Sequence, residues 1–258
     1  MIADVSIVQT LAIVARLPLH ARAVILCSAL AVVARGSNAA EAVPPALDPL
    51  PLMILPAQSP HQNFYALLLT GDGGWAELPR VVSDGLISAG IAVVGLNSRR
   101  YFRHRRTPEE TAHDVERILD YYTQEWAPAR VLLIGYSRGA DVLPFVINRL
   151  SPAVRAQVAL AVLLNPATET RFVLGIDDQT PDPPHAESLP LMPEVASLDG
   201  LDVLCVYGDG DRHALCPTLP ADRYGLLAVG HGHHFDHEYA ALVEAILARL
   251  SGAGTAAH

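Results

Sequence analysis

The segment Val131–Asp141 reads "VLLIGYSRGAD". A short apolar run of strand length passes through Gly135-Tyr136-Ser137-Arg138-Gly139 into a segment with helical patterning. A glycine, any residue, serine, any residue, glycine is a common pattern on its own. Set between a strand and a helix it describes a nucleophile elbow, in which the two glycines allow a tight turn and the serine hydroxyl stands exposed at its tip. Ser137 is therefore the candidate nucleophile, and the turn that exposes it requires a parallel sheet around it.

The surrounding sequence supplies such a sheet. Short apolar runs predict strands over Phe64–Thr70, Ile91–Leu96, Arg130–Ile134, Val158–Leu164, Val203–Tyr207 and Leu226–Val229, with helical patterns between them. That alternation is the signature of a mostly parallel α/β sheet, here of about six to seven strands, covered by helices on both faces. One helix is expected from about Leu78 to Ala89, closed by Gly90. A second starts at "TPEE", where Thr107 can cap, Pro108 suits the first turn and Glu110 completes a capping box, and it runs to about Trp126. A third follows Gly139 to about Arg149, and the last covers Asp236 to Leu250. From Asn165 to Val195 no period emerges, and the prolines and acids of "DDQTPDPPHAESLPLMP" suggest a loop-rich cap.

A serine hydroxyl needs a base, and the base an orienting acid, in the chain order Ser, Asp, His for this kind of sheet. After "VLCVYG" comes "DGD", offering Asp209 and Asp211, and the spacing from Gly208 favours Asp211. After "LLAVG" comes "HGHHFDH", where the order of preference for the base is His233, His234, His231. Four histidines in seven positions also suggest a metal site, but Phe235 stands where the H-x-H-x-D-H pattern of a metallo-β-lactamase needs its Asp, so no metal and no other cofactor is expected. The oxyanion hole should combine the backbone N–H of Arg138 with one from Asp72 or Gly73 in "TGDGGW", the turn after the Phe64 strand. An ionised Asp72 pointing into that hole would oppose catalysis. Its side chain must either cap neighbouring N–H groups or meet a cationic part of a substrate.

At 258 residues, 51% hydrophobic, the chain can bury a core of single-domain size. All its basic residues are Arg, and the net charge of −9 argues against nucleic-acid binding. Residues 1–42 read as a cleavable signal peptide: Arg16, His20 and Arg22 precede the apolar "AVILCSALAVVA", and small residues follow, with cleavage near Ala40 or Ala42. That apolar run is too short to span a bilayer. Residues 43–62 read as a linker or N-terminal edge, 63–251 as the folded domain and 252–258 as a tail. Once Cys27 leaves with the signal, Cys205 and Cys216 remain, close enough in sequence to close a short loop by a disulfide in an oxidising compartment.

Taken together, "TGDGGW", "NSRRYFRHRRTPEETAHD", "LIGYSRGADVLPF", the two cysteines around "YGDGD" and "GHGHHFDHEY" resemble the VirJ/AcvB family of bacterial virulence-associated proteins, in its short, VirJ-like form. The resemblance implies a periplasmic α/β-hydrolase fold and, in some species, a link to type IV secretion components. For AcvB-type members it implies hydrolysis of the aminoacyl ester of lysyl-phosphatidylglycerol. It also directs attention to Asp72, Trp75, Arg99, Arg100 and Tyr101 as substrate-binding candidates. The arginines of "SRRYFRHRR" are suited to a lipid phosphate or an anionic membrane surface, and Asp72 and Asp141 to a lysyl ammonium. Two functions follow as expectations: an exported serine hydrolase acting on an aminoacylated phospholipid or other ester, or a periplasmic interaction protein that keeps the scaffold without essential catalysis.

Overall fold

In a computed structural model, residues 40–58, 63–126, 130–174 and 188–253 are described. The segment read as a signal peptide falls almost wholly outside them, as does much of the proposed cap, residues 175–187. Seven strands form the main sheet: β1 (Leu52–Leu55), β2 (Phe64–Leu69), β3 (Ala92–Leu96), β4 (Arg130–Tyr136), β5 (Val158–Leu164), β8 (Val203–Asp209) and β9 (Gly225–His231). Two short strands, β6 (Glu169–Thr170) and β7 (Leu189–Pro190), pair separately. The sheet order is β1-β3-β2-β4-β5-β8-β9, parallel throughout except that β1 runs antiparallel to β3 at one edge.

The central strands read as unbroken apolar runs because both of their faces are buried. Alternation along each strand separates two cores. Leu67, Leu69, Leu133 and Leu163 face α3 (Pro108–Glu125) and α4 (Arg138–Ile147), through Val115, Ile118 and Val146. Ala66, Leu68, Ile134 and Val162 face α1 (Glu77–Ser88) and α7 (Tyr239–Ala253), through Val82, Leu86, Leu242 and Ile246. A fully buried Leu such as Leu86 contributes roughly 1.5–3 kcal/mol, so two such layers supply the main drive for folding.

Helix ends follow local chemistry. Thr107 and Glu110 form the expected capping box at the start of α3. At the end of α1, Gly90 has φ +81° and its N–H donates to Ile87, while the N–H of Ile91 donates to Leu86, closing the helix in a Schellman motif. Three short helices, α2 (Ser98–Tyr101), α5 (Pro152–Arg155) and α6 (Met192–Ala196), complete the fold. None of these helices is long and apolar enough to cross a membrane.

Two segments differ from the sequence expectation. The stretch read as a linker or N-terminal edge holds an unexpected edge strand, β1; Pro51 and Pro56 bracket a run of four residues, and pairing with β3 is what extends it. The last helix begins at Tyr239 instead of Asp236, because Phe235, Asp236 and His237 form a tight turn with φ of 55°, 48° and 64°. That turn returns the chain from the histidine loop to the α7 face of the sheet. The residues of the proposed tail that are described, Gly252 and Ala253, continue α7.

Candidate active site

The elbow at the β4–α4 junction forms because nothing larger than glycine fits on either side of Ser137. A Cβ on Gly135 would lie 2.5 Å from backbone atoms of Gly139, and one on Gly139 would lie 2.1 Å from the carbonyl oxygen of Leu69 in β2. Ser137 itself is held at φ 51°, ψ −120°, a strained conformation for a residue with a side chain. Its N–H is anchored to the Leu164 carbonyl at 2.9 Å.

Ser137 Oγ lies 2.8 Å from Nε2 of His233, and Nδ1 of His233 lies 3.0 Å from Oδ2 of Asp211. Asp211 is fixed in its turn: its Oδ1 accepts from the backbone N–H of His213 at 3.0 Å. Burial works to raise the Asp211 pKa, but the hydrogen bonds from His213, His233 and Asn165 outweigh it and hold the carboxyl below its ordinary value. Asp209 instead points to solvent with Oδ1 turned to the N–H of Gly210. The disulfide between Cys205 and Cys216 closes the loop that contains Asp211.

The other histidines have separate partners. His234 Nδ1 lies 2.8 Å from Tyr136 Oη, His231 Nδ1 donates to the Asp209 carbonyl at 2.8 Å, and His237 Nδ1 lies 3.0 Å from Glu77 Oε2. Among the described residues no three His, Cys, Asp or Glu side chains gather as a metal ion would need.

Asn165 joins this group without a clear sequence signal. It follows β5 directly at φ 52°, a region Asn tolerates better than most residues, and its Nδ2 donates to Asp211 Oδ2 at 2.8 Å. The same nitrogen is 3.0 Å from His233 Nδ1. With the imidazole proton on Nδ1 and shared with Asp211, Nε2 is free to accept the Ser137 proton, and the Asn165 amide serves the carboxylate.

The turn after β2 passes directly beside the serine, since a Cβ on Gly71 would lie 3.1 Å from Ser137 Cβ. Asp72, Gly73 and Ser137 line one cavity of about 490 Å3. Arg138 is the first residue of α4, where a backbone N–H has no acceptor within its own helix. The Asp72 carboxylate is turned onto the guanidinium of Arg138, with Nε–Oδ1 at 3.1 Å and Nη2–Oδ2 at 3.3 Å. Its charge is thus met by a paired arginine, so the acid in this turn is compensated within the chain. Arg138 Nη1 also donates to the Arg171 carbonyl at 3.1 Å, tying the turn to the residue that follows β6.

None of the remaining sequence candidates is in the described lining of the serine cavity. The Trp75 ring packs on Gly95, where a Cβ would come within 2.1 Å of it. Arg99 lies against Gly74, its Cβ 3.5 Å from where a Cβ on that glycine would sit. Arg100 and Tyr101 line a different cavity. A residue the sequence reading passed over, Glu77, lines the serine cavity at the start of α1.

Asp141, in the first turn of α4, is buried and accepts from the Ala167 N–H at 2.7 Å. Burial pushes its pKa up to about 7, against the lowering effects of Ala167 and Arg138 and with a small rise from Asp72. A folded-state pKa above the unfolded value means the folded chain holds this proton more tightly. Stability from Asp141 is therefore greatest below the unfolded carboxyl range and declines as pH rises towards about 7. Asp141→Asn, which keeps the acceptor for Ala167, should remove that decline. Comparing melting temperatures at about pH 4 and about pH 8, the difference between variant and wild type is expected to move in favour of the variant at the higher pH. A constant difference would show that Asp141 ionises normally.

The chain has likenesses among solved structures. Est1E from Butyrivibrio proteoclasticus superimposes with a TM-score of 0.56 at 17% identity, covering 79% of this chain and 96% of that one. A carboxylesterase from Mesorhizobium loti gives 0.53 at 17% identity, with 82% and 99% covered. An alpha-beta serine hydrolase homologue from Coxiella burnetii gives 0.53 at 16% identity, with 77% and 90% covered. At such identities the likeness establishes the α/β-hydrolase fold. No curated protein sequence matches the chain. The family model described as bacterial virulence protein (VirJ) matches residues 63–253, from the start of β2 to the end of α7, and the chain belongs to the VirJ family.

Proposed function

We propose that this protein is an exported serine hydrolase that cleaves an ester, and that its substrate is the aminoacyl ester of lysyl-phosphatidylglycerol. The observation that carries the hydrolytic reading is the continuous relay from Ser137 Oγ through His233 to Asp211 at the mouth of a cavity. In that reading Ser137 attacks the lysyl carbonyl while His233 takes the hydroxyl proton. The oxyanion forms against the N–H of Arg138 and of Asp72 or Gly73. His233 then gives its proton to the departing glycerol oxygen of phosphatidylglycerol. Water, deprotonated by the same imidazole, releases lysine from Ser137.

The cavity's charge supports a cationic acyl group. Its described lining includes Asp72 and Glu77 but no arginine, and the chain contains no lysine. Asp72 is paired with the Arg138 guanidinium and Asp141 is buried, so Glu77, an exposed lining carboxylate whose described partner is the exposed His237 imidazole, is the one suited to the lysyl ammonium. The disulfide fits a protein that matures in an oxidising compartment.

The test is release of lysine from purified lysyl-phosphatidylglycerol, beside alanyl-phosphatidylglycerol. Glu77→Gln is expected to raise KM for the lysyl lipid about fivefold to tenfold, in line with one surface charge contact, and to leave the alanyl lipid nearly unchanged. Failure to release lysine while a simple soluble ester is cleaved would remove the lipid substrate and keep the hydrolase. The family's description as a virulence protein is compatible with a second reading, an interaction protein that keeps the hydrolase scaffold without essential catalysis. If a Ser137→Ala gene restores a deletion strain as fully as wild type, that role is independent of catalysis.

A further inference from the structure

A second cavity, of about 670 Å3, lies beside α2 and the turn that follows it. It shares no lining residue with the serine cavity. Arg100, Arg103 and Arg106, spaced three apart, line it together with His104 and with Arg117 from α3. On a chain of net charge −9 this is a marked local reversal of sign. The acid in its described lining, Asp114, is already committed: it accepts from Tyr101 Oη at 2.7 Å and from Arg117 Nη1 at 3.0 Å. Arg106 lies with its guanidinium carbon 4.8 Å from the centre of the Tyr101 ring, and its buried Nε has no hydrogen-bond acceptor. Among the described residues no carboxylate pairs with Arg100, Arg103 or Arg106. Val43, Leu50 and Leu52 add apolar lining.

We infer that this cavity is a binding site for a phosphate ester, separate from the hydrolytic site. Arg100, Arg103 and Arg106, without a carboxylate partner of their own, repel one another, and an anion entering between them relieves that repulsion while supplying the acceptor Arg106 Nε lacks. Guanidinium forks match phosphate oxygens in pairs, which favours phosphate over a single carboxylate. The apolar lining suits the organic part of an ester. A free phosphate ester and a phospholipid headgroup present the same group. The inference does not rest on the hydrolytic reading.

Two probes distinguish those sources: glycerol 3-phosphate followed by calorimetry, and co-sedimentation with vesicles of phosphatidylcholine with and without phosphatidylglycerol. Binding of glycerol 3-phosphate indicates a soluble ligand, and binding of the phosphatidylglycerol vesicles alone a lipid headgroup; either supports the site. Arg103→Glu is expected to weaken the positive binding at least about tenfold, and Arg105→Glu, two residues on and outside the cavity, less than about twofold. Arg103→Gln, expected to act in the same direction, replaces the reversal if the latter lowers the melting temperature. No binding of either probe, or equal loss from Arg103→Glu and Arg105→Glu, would overturn the site, the latter by showing a diffuse charge effect.

Discussion

Ser137→Ala is expected to abolish labelling by a fluorophosphonate probe and to lower kcat on soluble esters by about five orders of magnitude, as loss of the nucleophile does where it acts as one unit with its base. The effect should be confined to chemistry. Ser137 is held at φ 51° by the β4–α4 junction and by its N–H bond to Leu164, and alanine adopts that backbone at a similar cost. The melting temperature should therefore stay close to that of wild type. His233→Gln should behave like Ser137→Ala, because it removes the group 2.8 Å from Oγ. His234→Gln should keep activity within about tenfold, since His234 contacts Tyr136 and not the serine, and one neutral side-chain hydrogen bond contributes about 1 kcal/mol. Unchanged kcat in Ser137→Ala would remove the serine mechanism altogether.

What the sequence reveals here depends on how local each cause is. β2, β4 and β5 are visible as apolar runs because parallel strands are buried on both faces, and α3 is visible because its capping box involves residues only three apart. β1 hides between two prolines because its extended form comes from pairing with β3, some forty residues later in the chain. The positive φ of Phe235 likewise has no local signal; a bulky aromatic does not favour that region, and the packing of Phe235 into the α7-side core imposes it.

The site divides in the same way. Ser137, Asp211 and His233 follow chain order and loop spacing, which the fold class constrains. The partner of Asp72 does not: Arg138 is remote in sequence, and an acid in a glycine-rich turn has no marker that distinguishes pairing within the chain from pairing with a ligand. Asn165 could have been suspected from its position directly after the apolar run of β5. A strand's carboxyl end is where functional side chains gather in such sheets, and Asn is a residue that accepts left-handed backbone.

Asp211→Asn is the substitution with the next largest expected effect, a fall in kcat of roughly 10⁴-fold at neutral pH, the size seen when an orienting carboxylate becomes an amide. Three N–H donors converge on this side chain: His213 on Oδ1, and Asn165 and His233 on Oδ2. An asparagine must put its NH₂ on one side or the other. Placed at the Oδ1 position, the NH₂ faces the backbone N–H of His213 and disturbs the turn. Placed at the Oδ2 position, it faces Asn165 and drives the His233 proton from Nδ1 to Nε2, where it blocks acceptance from Ser137. Nitrogen-15 NMR of His233 reads the tautomer directly, and the amide should move the proton to Nε2. Stability gives an independent check. Because the Asp211 pKa is lowered in the folded chain, its carboxylate stabilises the fold above the unfolded carboxyl pKa, and that contribution disappears as pH falls through the folded value. Asp211→Asn should therefore lose less stability than wild type on acidification below about pH 4. A variant that keeps the Nδ1 tautomer and near-normal kcat would show that Asp211 does not orient the base.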